Sequence, residues 1–436
     1  MRSCILALAA LTVVGPLAAQ ARAQSDNRVA MQDVERGRRM LRQLRETLDK
    51  HYYDSTYGGF DLEASQRRTD SALGHAETVP EIAGLLAQFL HDLDDSHTRF
   101  YPPGLSVTVD YGWRWQMIGE QCYVMSVQED SDAAKQQLQV GDRVLAIDGI
   151  SLTRQNASLV SYVYHTLSPR AGMRLQLERV DGTPAELVIE SSIRRHPPIT
   201  DYTDLENRRR AREEYERSSR IAHRTRSFDS VLVWKLPRFG YQDETIDRIM
   251  RQAREHRWLV LDLRDNPGGA VEAETRLLGH FFRERFVAYT ERWRDSTVER
   301  WIEPQGREPY GGEVVVLLNS RSASAAEITA RVLQMRGRAS VVGDRSAGAV
   351  MTSYGISLTL GSIFQERVVP FGMSVTISDV IMPDGGRLEK TGVVPNIGLL
   401  PTGQDLAEKR DPAMAFALEM AGVAMNADEA GKLLRR

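Results

Sequence analysis

The chain predicts a multidomain protein of mixed α+β and α/β class. A helical N-terminal region leads into a small β-barrel domain, and an α/β core follows. Three observations predict this order. The first hundred residues space their apolar side chains as helices do. Residues 105–195 change to short strands between Gly and Asp turns. From 227 to 405, buried apolar runs alternate with helical segments. The 436 residues are 42% hydrophobic, enough for ordinary cores, and a net charge of -3 leaves no basic footprint for a nucleic-acid partner.

Met1-Arg2 is a short positive start, Cys4 to Ala19 is apolar but broken by Gly15-Pro16, and Ala21-Arg22-Ala23 has the A-x-A cleavage pattern. Residues 1–23 therefore read as a secretory signal peptide, too short and interrupted for a span of about 20 residues. The expectation is an exported protein, periplasmic or secreted, without stable membrane insertion. Cys4 leaves with that segment. Cys122, alone in a strand-like stretch, reads as a small buried side chain and not a nucleophile.

In the helical region, 24–104, Val34 to Tyr52 and Val79 to Leu93 have helical periodicity, and Pro102-Pro103-Gly104 ends it. In the β-domain, 105–195, Tyr123 to Val127, Arg174 to Val180 and Ala185 to Glu190 read as strands. Residues 196–226, opened by Pro197-Pro198, form a charged linker. In the core, 227–405, the strands are Val231 to Leu236, Trp258 to Leu263, Val314 to Leu318 and Ala339 to Gly343. The intervening helices are Glu244 to His256, Val271 to Phe282 and Ala325 to Met335. Residues 406–436 form a tail with one amphipathic helix, Pro412 to Met420.

Two polar turns end buried strands of the core. Asn319 to Ser324 lies between a strand and a helix N-terminus, where backbone N–H groups and the helix dipole favour negative charge. Ser324 suits a nucleophile there. Read locally, the turn suits a helix cap better, with Ser322 or Ser324 as the cap and Glu327 closing a capping box on Ser324. The second turn, Arg264-Asp265-Asn266-Pro267-Gly268-Gly269, ends in two glycines that let a substrate carbonyl approach the backbone. It reads equally as a plain strand-to-helix turn. Arg264 and Asn266 are expected to hold it by hydrogen bonds.

Leu138-Gln139-Val140-Gly141-Asp142-Arg143-Val144-Leu145-Ala146-Ile147-Asp148-Gly149 resembles the signature segment of a PDZ domain. In order, "LVLDLRDNPGG", "VVVLLNSRSASAAEI" and "VVGDRSAGA" resemble the core of the C-terminal processing (tail-specific) serine peptidases and their tricorn-type relatives. The resemblance implies a ClpP/crotonase-like α/β core with Ser324 as nucleophile. It also implies an oxyanion hole from Gly268, Gly269 and Ala325, and a PDZ-like domain that docks an extended peptide.

One position departs from the tail-specific pattern: Ala349 stands where Ser-Lys enzymes carry lysine. A serine hydroxyl without a base is a poor nucleophile. Asp94-Asp95-Ser96-His97 resembles the Ser-His pair of the tricorn-type branch, and Glu389, before Gly392-Val393-Val394-Pro395-Asn396, resembles that branch's glutamate. By this resemblance His97 is the general base, and Ser96 and Glu389 orient it. Read locally, His97 is a helix-end histidine, Ser96 a cap and Glu389 an exposed turn residue. The cluster His91, Asp92, Asp94, Asp95 and His97 is weighed as a metal site and set aside as an exposed helix end. No metal or organic cofactor is implied. The expected partner is a peptide or unfolded protein substrate, and the sequence is compatible with an oligomer. The expected function is an exported serine peptidase working through an acyl-enzyme. Its alternatives are an inactive peptide-binding scaffold, motivated by Ala349, and a hydrolase acting on a non-peptide ester.

Overall fold

The computed structural model describes residues 31–103, 107–195, 209, 223–228, 230–240, 243–361 and 369–434. The segment read as a signal peptide, and nearly all of the charged linker, lie outside the described residues.

The core is a six-stranded sheet. Its order is Arg224–Ser227, Val231–Lys235, Trp258–Asp262, Glu313–Leu318, Ser340–Gly343 and Ile397–Gly398, and all pairs but the first are parallel. Both faces are covered, so its strands read as continuous apolar runs. Leu232, Trp234, Leu259, Leu261, Val314 and Val316 point to one side, where helices Asp243–Ala253, Val271–Gly279 and Ala325–Met335 pack. Val231, Val233, Val260, Val315 and Leu317 point to the other and pack on Ala413, Met414, Ala417 and Leu418 of the Pro412–Met420 helix. The segment read from sequence as a tail thus covers one face of the core. Arg264 ties the two together, bonding Asp262 (2.9 Å) and Asp411 (2.8 Å). The expected glycine-turn role therefore falls to Asn266 alone.

A second, antiparallel sheet is built from Arg99–Tyr101, Phe286–Trp293, Thr297–Ile302, Met351–Leu360 and Val369–Ile381. Helices Met31–His51 and Val79–His91 pack on it through Leu41, Leu44, Leu48, Leu86 and Phe89 against Phe371, Met373, Val375 and Ile377. The N-terminal helical region is therefore the cover of this sheet.

The β-domain has the sheet order Trp113–Ile118, Gln121–Val127, Arg143–Ile147, Gly172–Glu178 and Pro184–Glu190, around a core that includes buried Cys122. It is seated on the carboxyl ends of the core strands. Arg154 donates to Asp344 (2.6 Å) and to the carbonyls of Gly119 (2.6 Å), Arg345 (3.0 Å) and Ser346 (3.3 Å). Trp113–Ile118 is an edge strand. In its hairpin register with Gln121–Val127, Trp115 and Met117 turn their backbone groups outward. Their carbonyls accept hydrogen bonds from Arg321 and Ser320 of the core.

Candidate active site

The turn Asn319 to Ser324 follows the Glu313–Leu318 strand at its carboxyl end, where ligands gather in such sheets. Ser322 is buried and does not cap the helix: its hydroxyl donates to the Leu263 carbonyl (2.8 Å) and accepts from the Asn319 N–H (3.0 Å). Ser324 stands at the N-cap of the helix with φ +55° and ψ -122°. For a residue with a Cβ, such a conformation costs about 1–3 kcal/mol and persists only where its surroundings hold it.

Four contacts hold it. The Ser324 N–H donates to the Ala349 carbonyl (2.9 Å) and to Glu327 Oε2 (3.0 Å), and the Ala323 N–H donates to the Asn266 carbonyl (2.9 Å). The Glu327 N–H goes to the Ser324 carbonyl (2.8 Å). Ser324 and Glu327 are placed as a capping-box pair, yet the helix makes no cap hydrogen bond to the serine side chain, which leaves the hydroxyl available for chemistry.

Glu327 is fully buried and accepts four hydrogen bonds. Its donors are the N–H groups of Ser324 (3.0 Å), Gly348 (2.8 Å) and Ala349 (2.9 Å) and the Ser346 hydroxyl (2.6 Å). Burial pushes this carboxyl up to about 7, against the pull of those donors. Sequence reasoning assigned Glu327 only to a capping box. The later "DRSAGA" segment, Asp344 to Ala349, supplies three of its four donors, and only the fold lays that segment against it.

The glycine turn meets the serine turn directly. A Cβ on Gly268 would lie 2.6 Å from Ser324 Cβ, and one on Gly269 would lie 1.8 Å from the Phe239 carbonyl oxygen, so neither position admits a side chain. The predicted oxyanion set needs one correction. The Gly268 N–H is committed to Asn266 Oδ1 (2.8 Å), while the Asn266 amide group donates to the Leu236 carbonyl (2.9 Å). Gly268 is therefore a spacer that lets the two turns touch. Among the described residues, the N–H groups of Gly269 and Ala325 have no acceptor.

Ser96, His97 and Glu389 come together although nearly 300 residues separate them. The Ser96 hydroxyl donates to Glu389 Oε2 (2.9 Å) and sits 2.6 Å from His97 Nδ1, and the Ser96 N–H donates to Glu389 Oε1 (2.9 Å). Since the one hydroxyl proton goes to the glutamate, His97 Nδ1 carries the donor hydrogen and Nε2 keeps its lone pair. Partial burial outweighs the pull of Asp95 and, with Arg99, pushes the His97 imidazole down to about 4, so the ring is neutral at pH 7. Burial raises the Glu389 carboxyl above its ordinary range. Asp95 Oδ1 takes the N–H groups of His97 (2.9 Å) and Thr98 (2.6 Å) and the Thr376 hydroxyl (2.7 Å), which pins the arm to the antiparallel sheet.

The two halves meet on three successive amides. Gly348 and Ala349 donate to Glu327, and Val350 donates to Glu389 Oε2 (2.9 Å). Among the described residues, His97 and Ser324 share no direct hydrogen bond, and this bridge joins them. Ala349 contributes its N–H and carbonyl where its methyl has nothing to offer. No group of three or more His, Cys, Asp or Glu side chains among the described residues is arranged to hold a metal ion.

Residues 230–399 match the model of peptidase family S41, and residues 105–190 match that of the PDZ domain. A carboxyl-terminal-processing peptidase 1 of Arabidopsis thaliana chloroplasts is 21% identical over 84% of this chain and 72% of its own length. A carboxyl-terminal-processing protease of Synechocystis sp. is 31% identical, over 31% of this chain and 30% of its own. Among solved structures, mature CPAF complexed with lactacystin matches with TM-score 0.64 and 17% identity, over 86% of this chain and 96% of that one. The photosystem II D1 C-terminal processing protease matches with TM-score 0.50 and 17% identity, over 90% and 99%. These last two likenesses concern the fold.

Proposed function

The chain belongs to the C-terminal processing serine peptidases of family S41 and carries a PDZ domain, and on that premise we propose that it cleaves peptide bonds through an acyl-enzyme at Ser324. His97 Nε2 takes the Ser324 Oγ proton as Oγ bonds to the substrate carbonyl carbon. The resulting oxyanion is met by the N–H groups of Gly269 and Ala325. His97 returns the proton to the leaving amine, and water, activated by the same nitrogen, releases the acyl group. Ser96 and Glu389 hold the imidazole in the tautomer this requires and stabilise the imidazolium. The carrying observation is the Glu389–Ser96–His97 relay, anchored on the same 348–350 segment that holds the Ser324 amide. Contact between His97 and Ser324 then tightens on substrate binding, as catalytic hydrogen bonds commonly do.

The substrate is an extended peptide or protein chain end. The PDZ domain docks it by adding a strand to the edge of Trp113–Ile118. That edge lies against the nucleophile turn, so an added strand exchanges its own groups for those of Ser320 and Arg321. The N-terminal leader directs the protein to the periplasm or outside the cell. No described helix is long and apolar enough to cross a membrane.

Ser324→Ala and His97→Ala should each remove peptide hydrolysis while the purified proteins keep the wild-type melting profile. Undiminished turnover by Ser324→Ala sinks the mechanism. The second reading, a peptide-binding scaffold without catalysis, has the Ala349 methyl in place of a dyad lysine behind it. Peptide binding by the folded wild type, with no turnover of any peptide, would favour it.

A further inference from the structure

A second concave site lies at the opposite end of the parallel sheet from Ser324. It is a cavity of about 410 Å³ lined by Asp247, Arg251, Arg254, His280, the loop Gln305–Arg307 and Glu308. Arg254 precedes the Trp258–Asp262 strand, and the loop precedes Glu313–Leu318, so the cavity opens at the amino ends of these strands.

Its charges are unevenly matched. Asp247 is held by Arg276 (3.0 and 2.6 Å) and by His280 Nε2 (2.8 Å), and Glu308 is held by Arg283 (2.6 Å). Both lining acids are thus occupied by other cations. Arg251, Arg254 and Arg307 have no carboxylate within ion-pair distance among the described residues.

Arg254 is also held in place. Its Nη2 donates to His280 Nδ1 (3.2 Å) and to the carbonyls of Glu308 (3.2 Å) and Gln305 (3.5 Å). Since Nδ1 accepts from arginine, His280 Nε2 carries the hydrogen that goes to Asp247. His280, at the centre of this Asp247–His280–Arg254 line, is only 5% exposed. The line uses one guanidinium nitrogen. Nη1 and Nε remain without partners among the described residues; they lie on different edges of the guanidinium, so each offers its own N–H to an anion oxygen. Arg251 and Arg307 add charge on either side. Three uncompensated arginines suit a multiply charged oxyanion better than a single carboxylate, which would neutralise one of them.

We propose that this cavity binds a phosphate-bearing ligand, with Arg254 as receptor and Arg251 and Arg307 as flanking charges. The site is separate from the peptidase chemistry and stands or falls independently of it. The phosphate comes from solution or from a lipid headgroup, and the two sources are separable. Orthophosphate and pyrophosphate are titrated calorimetrically into the full-length protein at low salt. In parallel, the protein is sedimented with phosphatidylcholine vesicles with and without phosphatidic acid. Saturable binding to a soluble phosphate, or to the phosphatidic acid vesicles alone, is expected. Arg254→Ala, and separately Arg307→Ala in the loop, should weaken it at least tenfold with peptide hydrolysis and melting unchanged. Absence of binding to all three probes overturns the proposal, as does wild-type binding by a folded Arg254→Ala.

Discussion

The Ser324 and His97 arms of the candidate site are built differently. The Ser324 arm is local. Ser324 and Glu327 share the first turn of one helix, the 346–349 loop lies against them, and Glu327 sits at their centre with four donors. The His97 arm is assembled from afar. Ser96 and His97 follow the N-terminal helices, lean on Thr376 of the antiparallel sheet, and reach Glu389 across most of the chain. A local frame can hold a strained serine by itself, whereas His97 is in place only when the helical cover is docked. Breaking the first arm should therefore damage the fold, and breaking the second should damage chemistry in a protein that still folds.

The largest expected effect is on rate. His97→Ala should lower kcat about 10³–10⁴-fold and leave KM within about threefold of wild type, read by steady-state hydrolysis of a peptide. A fall in KM affinity instead of kcat would make His97 a binding residue. Next is stability on the other arm. Glu327→Ala strands one hydroxyl and three amides in a buried space and should cost about 2–4 kcal/mol in urea unfolding. Glu389→Gln should cost under about 1 kcal/mol. Equal losses would erase the contrast. Glu389→Gln should instead lower kcat about 10–100-fold, because its amide cannot accept from both Ser96 groups and Val350 at once.

The smallest effect is in pH dependence. The His97 imidazole is pushed down to about 4 from 6.5, so between these values the unfolded chain binds more protons than the folded one. The contribution of the neutral ring is complete above pH 6.5 and is lost as pH falls toward 4. His97→Gln removes that term, so it should lose less stability than wild type over that window. Parallel unfolding curves for the two proteins from pH 7 to 4 would contradict the assignment.

Legibility in the sequence followed the same division. The parallel sheet was legible because both its faces are covered. Leu259-Val260-Leu261 and Val314 to Leu318 announce buried strands without any tertiary knowledge. The antiparallel sheet was not. Thr297–Ile302 is largely exposed and Met351–Leu360 is buried only at its two ends; each pairs with its neighbour in the chain, Phe286–Trp293 and Val369–Ile381 respectively, and the pairing of Phe286–Trp293 with Val369–Ile381 that joins them is a long-range choice. The positions Ser324, Ser96, His97 and Glu389 came from resemblance to a family, since nothing local to Ser96 or Glu389 indicates their bond. The Gly268 N–H was misassigned because the sequence does not reveal that Asn266 folds back on it. Glu327 was under-read for a related reason. A capping glutamate and a four-donor buried carboxylate look alike until the 346–349 segment is laid against them.

The central claim is that Ser324 is an activated nucleophile and that His97 activates it. The direct measurement is labelling of the folded protein by a fluorophosphonate, with the modified residue located by peptide mass mapping and the rate compared between wild type and His97→Ala. A single adduct on Ser324 is expected, formed at least a hundredfold faster in wild type than in His97→Ala. An adduct on another residue, or an equal rate in the folded variant, would contradict that claim.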